Sequence, residues 1–173
     1  MRLDDDDFTL FDLPQRHALE RPLLDERWRQ LQAAAHPDRF ASEGAAAQRL
    51  AMQWAVRINE AYQRLRDPLK RAAYLVELRG GAIDAERNTA MPPAFLMQQM
   101  EWREALDEAR GLEAVEHIDG QVAAHEKALL AALGRTLDEP GVDLAQAAQQ
   151  VRALMFVAKF REDIGRRLEA YDA

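Results

Sequence analysis

No cysteine occurs anywhere in the chain, which excludes a disulfide framework, a thiolate nucleophile and a cysteine-ligated metal site. Glycine and proline are scarce, 8 and 7 of 173 residues, so few natural breaks interrupt the chain and long helices are favoured over short strands and tight turns. No run of about 18 apolar residues is present to cross a bilayer. A secretory signal would need a basic start and an apolar core, but the first seven residues carry four consecutive aspartates, Asp4 to Asp7. The expectation is a cytoplasmic protein with no membrane partner, and the aspartates read most simply as a solvated tail. An excess of positive charge is also lacking. Residues 1–79 hold 13 basic and 13 acidic groups, so residues 80–173, with 10 and 17, carry the whole net charge of −7. Phosphate backbones demand a basic face. The acidic second half therefore argues against nucleic acid as a partner, and a neutral or basic protein surface is favoured.

What is present is 48% apolar, 31% charged and rich in Ala, Leu, Gln, Glu and Arg, the composition of an all-α protein. Phe8, Leu10, Phe11 and Leu13 form a short apolar opening closed by Pro14. From Pro22 to about Ala35, Leu24, Trp28, Leu31 and Ala35 recur at helical spacing. His36-Pro37-Asp38 ends that helix, because Pro37 has no amide hydrogen and disfavours helical geometry in the residue before it. A second helix from about Gly44 to Arg66 places Ala47, Leu50, Ala51, Trp54, Ile58, Ala61, Tyr62 and Leu65 on one side. The pair reads as an antiparallel hairpin, followed by a short helix over Leu69 to Leu78.

Gly80-Gly81 and the stretch from Asn88 to Pro93 then punctuate the chain. The expected organisation is one domain over residues 1–79, a linker over 80–93 and a second domain over 94–173. Three helices are expected in that second domain: Ala94 to Ala109, Glu113 to Leu137 with Val115, Ile118, Val122, Leu129 and Leu133 buried, and Asp143 to Tyr171. A three-helix bundle is the economical arrangement.

His36 beside Asp38 raises acid–base or metal chemistry, which needs several converging groups. His17, His36, His117 and His125 offer none, since even His117 and His125 stand eight residues apart on one expected helix. Neither catalysis nor a bound metal or cofactor is expected. The surrounding residues point to binding. The helix, the His-Pro-Asp turn and the following helix, with Ile58-Asn59-Glu60-Ala61-Tyr62 and Asp67-Pro68-Leu69-Lys70-Arg71-Ala72-Ala73-Tyr74, resemble the J domain over roughly the first 75 residues. The resemblance implies that His36, Pro37 and Asp38 contact a DnaK-type chaperone and promote ATP hydrolysis by that partner. Arg27, Arg29 and Arg39 are the basic groups able to meet an acidic partner surface, giving orientation and on-rate more than affinity. Ala33, Ala34 and Ala35 stand where many J domains have basic or aromatic residues, which favours a dedicated partner.

On a wheel of the Ala94 to Ala109 helix, Phe95, Gln99, Trp102, Leu106 and Ala109 share one face. Leu96, Met97 and Met100 project elsewhere, beside Glu101, Glu104 and Glu108. Either a neighbouring helix buries these three apolar residues, or they form an exposed apolar patch rimmed by carboxylates that suits a protein partner, and methionine helps such a surface adapt. On the last helix Phe156 lies off the stripe of Leu144, Ala148, Val151, Met155 and Ala158, and is free to join that patch. The segment Phe95 to Glu108, with Phe8-Thr9-Leu10-Phe11 and Val151-Arg152 to Phe156, is similar to the HscB family of iron–sulfur co-chaperones, in its bacterial form, over nearly the whole chain. That resemblance implies that Leu96, Met97, Met100, Glu101, Glu104, Glu108 and Phe156 bind an IscU-type scaffold, and that the J domain delivers it to HscA. Met100 replaces a more usual leucine. The alternative is a general co-chaperone presenting varied unfolded clients.

Overall fold

The computed structural model describes residues 1–86 and 91–173. Asn88, Thr89 and Ala90, part of the expected linker, lie outside the described residues. All regular structure among the described residues is helical: α1 (Asp7–Leu10), α2 (Arg21–Ala35), a 3₁₀ turn (Pro37–Phe40), α3 (Ala45–Arg66), α4 (Pro68–Leu78), α5 (Pro93–Glu108), α6 (Leu112–Asp138) and α7 (Leu144–Asp172). Two compact units result, Met1–Leu75 and Val76–Ala173, and the division falls inside α4.

In the first unit α2 packs against α3, and Phe8, Phe11, Leu24, Ile58, Leu65 and Leu75 are fully buried between the helices. Of the four N-terminal aspartates Asp4 is solvated, but Asp6 and Asp7 are structural. Asp6 caps α1, its carboxylate accepting from the Phe8 and Thr9 amides, as a short acidic side chain does at an N-cap. Asp7 is completely buried, with Arg57 at 2.8 Å and Arg64 at 3.1 Å from its two oxygens. Arg57 also donates to the carbonyls of Leu3 and Asp5. The sequence could not reveal this because both arginines lie about fifty residues away.

The two J-like signature segments prove to be the joints of this unit. Tyr62 donates to Asp25 at 2.7 Å and stacks on Trp28 at 4.5 Å between centroids. Asn59 accepts from Trp28 and from Gln32. Asp67 receives the Leu69 and Lys70 amides, starting α4. The buried Arg71 donates to the carbonyls of His17 and Leu65, and His17 in turn meets the Pro68 carbonyl through Nε2 at 2.9 Å.

One expected core position fails. Leu50 is 49% exposed. At the turn end of the hairpin, Ala34, Ala35 and Ala47 are too short to close over it, leaving an open apolar cavity of about 350 Å³ lined also by Leu31, Phe40 and Trp54.

The second unit begins with a Schellman ending to α4. Gly80 takes the left-handed conformation (φ +94°) that other residues resist, its amide donates to Glu77 and the Gly81 amide to Val76. The start of the expected linker is held down: Arg79 donates to the Leu137 carbonyl, and the buried Arg152 donates to the carbonyl of the buried Ile83. Helices α5, α6 and α7 form the bundle around Trp102, Leu106, Val115, Val122, Phe160 and Ile164. On α7 the buried stripe runs through Val151, Leu154, Val157, Phe160 and Ile164, and of the expected set only Ala148 and Val151 are buried. Apolar residues occupy a broad arc of this helix, so periodicity alone did not set its phase. The ion pairs from Arg161 to Glu126 and Asp119 on α6 accompany the observed one.

Candidate functional site

Two exposed features lie in different units. The first is the turn after α2. Helical geometry stops at His36, whose backbone is extended (φ −63°, ψ 128°), and Pro37 opens one 3₁₀ turn. The imidazole Nδ1 of His36 accepts from the Asp38 amide at 3.3 Å. The Asp38 carboxylate stands 91% exposed, 3.7 Å from the same Nδ1. His36 and Asp38 are thus joined by one local bond through the Asp38 amide and present their polar groups outward.

The three arginines separate. Arg39 reaches back to the Ala33 carbonyl at 3.2 Å, covering one of the unpaired carbonyls at the end of α2. Arg27 is half-buried and paired with Asp12 at 3.0 Å. Arg29 is exposed, and of the three it is the one whose charge faces solvent with no hydrogen bond or ion pair among the described residues. Beside it, Arg21 and Tyr62 both donate to Asp25, and the Arg21 bond leads in holding that carboxyl below its ordinary value of 3.8.

The second feature is the outer face of α5. Trp102 and Leu106 turn inward; Trp102 stacks on Phe160 and meets His125 edge-on at 4.9 Å. Opposite them, Leu96 is 48% exposed, and Met97 and Met100 are 63% exposed each. Glu101, Glu104 and Glu108 are exposed on the same helix. Phe156 of α7, 41% exposed, packs its edge against Phe95 at 6.3 Å, which brings it to the margin of α5. Phe95 is a member of this neighbourhood that the wheel assigned wholly to the core. Its half-burial follows from its place in the first turn of α5, where no further turn covers it.

The remaining histidines have separate settings: His17 within the first unit, His117 exposed and His125 against Trp102. Among the described residues no three His, Cys, Asp or Glu side chains group as a metal site, and no helix is long and apolar enough to cross a membrane.

Residues 91–165 match the family described as the HSCB C-terminal oligomerisation domain. The co-chaperone HscB homologues of Burkholderia mallei and Burkholderia pseudomallei are 54% identical over 170 residues, covering 96% of both chains. Among solved structures, the chaperone HscB from Vibrio cholerae is similar with a TM-score of 0.83 and 36% identity, covering 96% of this chain and 99% of the other. The human co-chaperone HscB is similar with a TM-score of 0.89 and 26% identity, covering 96% and 84%.

Proposed function

The chain belongs to the HscB family of co-chaperones, an all-α protein with a J domain followed by a helical bundle, and from that premise we propose that it serves iron–sulfur cluster assembly as a two-ended adaptor. The outer face of α5 with Phe156 binds an IscU-type scaffold. The His36-Pro37-Asp38 turn engages an HscA-like, DnaK-type ATPase and stimulates it. Hydrolysis is carried out by that partner, in the cytoplasm, and no catalytic step falls to this chain.

The observation that carries the reading is the pairing of two exposed features on separate units: a locally braced turn presenting His36 and Asp38, and an apolar patch rimmed by three carboxylates. Joining both on one chain raises the effective concentration of scaffold at the ATPase. Asp38→Asn or His36→Gln should abolish stimulation in a steady-state ATPase assay while scaffold affinity by calorimetry is retained. Alanine at Leu96, Met97 and Phe156 should do the reverse. Unchanged stimulation in the turn variants would sink the assignment of the turn.

The description of residues 91–165 as an oligomerisation domain favours a second reading of the same patch, in which a second copy covers it. Light scattering across a concentration series separates the two, because patch substitutions would then shift oligomeric state rather than scaffold affinity.

A further inference from the structure

We propose that Met97 and Met100 form an oxidant-responsive modification site that releases the client from the α5 face, an inference that rests on the scaffold-docking reading above. The chain has no cysteine, so sulfur redox chemistry falls entirely to its methionines. Of those six, Met91 is 9% exposed and Met155 half-buried, Met1 (66%) and Met52 (57%) are exposed singly on the first unit, and Met97 and Met100, each 63% exposed, are the exposed pair on the α5 face. Three residues apart on a helix, the latter two stand side by side. They share the face with Leu96 and are bordered by Glu101 and Glu104.

The reaction needs only a peroxide. The thioether sulfur donates an electron pair to one peroxide oxygen, the O–O bond breaks, an S–O bond forms, and the other oxygen leaves as water after a proton transfer. Each flexible apolar side chain becomes a polar, chiral sulfoxide. The new dipole keeps its water and resists burial in an apolar contact, and its partly negative oxygen lies beside carboxylates. Two such changes in a small patch remove much of its apolar surface at once. Thiol-dependent sulfoxide reductases reverse the step, so the device is a switch rather than damage. Iron–sulfur clusters are themselves oxidant-labile, so the delivery pathway would stop under the condition that destroys its product.

The test treats the folded full-length chain with hydrogen peroxide, maps oxidised methionines by peptide mass spectrometry, and measures iron–sulfur scaffold affinity before and after by calorimetry. Circular dichroism checks that the fold persists. The expected result is oxidation of Met97 and Met100 ahead of Met91 and Met155, and a fall in affinity of about tenfold or more, restored by methionine sulfoxide reductase. The chain carrying both Met97→Leu and Met100→Leu, whatever its starting affinity, should show no change on treatment. Unchanged affinity of the oxidised wild-type chain overturns the proposal, as does an equal loss in the leucine variant. Untreated Leu96→Ala/Phe156→Ala protein that binds scaffold as tightly as wild type removes the docking reading itself, and that result is obtained without peroxide.

Discussion

At the scale of single residues, the polar chemistry of the first unit divides into side chains that build and side chains that present. Asp7 builds. Burying a carboxylate is tolerable only because Arg57 and Arg64 meet it, and Asp7→Ala should cost on the order of 1 to 3 kcal/mol by removing both charged contacts, read as a lower urea midpoint, while Arg57 keeps the Leu3 and Asp5 carbonyls. Arg27 is weakly held at the surface by Asp12, so Arg27→Ala should alter stability by under about 1 kcal/mol. Arg29→Ala should leave stability unchanged and slow association with the ATPase, most visibly at low salt. Asp25 sets a pH dependence. Its carboxyl is lowered by Arg21 first and Tyr62 second, so near pH 3.8 the unfolded chain binds more protons than the fold does. The stabilisation is complete above the ordinary carboxyl range and is lost as pH falls through the lower folded value. Asp25→Asn should flatten that acid limb in a pH series of thermal melts.

At the scale of elements, α5 shows two faces that behave as different materials. Trp102→Ala opens the bundle core and should cost about 3 to 5 kcal/mol, whereas Leu96→Ala on the outer face should change stability by no more than about 0.5 kcal/mol; chemical denaturation of both variants checks the contrast. Helix positions were legible in the sequence because breakers bracket each one, Pro22, Pro37, Pro68, Pro93 and Gly141 among them. The outer face of α5 was legible in part: amphipathic spacing around Trp102 turns Leu96, Met97 and Met100 away from the core face but left open a neighbouring helix that would bury them, and their exposure is read from the structure. What escaped depended on distance or on breadth. The Asp7 cluster joins residues far apart in sequence, the phase of α7 was blurred by apolar residues around most of its circumference, and the exposure of Leu50 follows from small neighbours on α2 as well as on its own helix. Likewise, the signature Asp67 to Tyr74 identified a domain without showing that Arg71 and Tyr74 are its internal fastenings.

At the scale of the whole molecule, the proposed adaptor role requires both units on one chain. Full-length Asp38→Asn protein should still hold scaffold, and Leu96→Ala/Phe156→Ala protein should still engage the ATPase. Mixing the two should not restore scaffold-dependent stimulation, because effective concentration within one chain exceeds that between chains by about a hundredfold or more. An ATPase assay of the mixture reads this directly. The Asp7 anchor has a further consequence, for synthesis. Its carboxylate awaits Arg57 and Arg64, and its amide donates to the hydroxyl of Tyr74, one residue short of the end of the first unit. Chains fold from the N-terminus as they leave the ribosome, yet this one cannot seat its own first helix until nearly the last residue of the unit has emerged. A ribosome stalled before Tyr74 should therefore display a protease-sensitive nascent chain, and one stalled well beyond it a resistant unit closed in a single step.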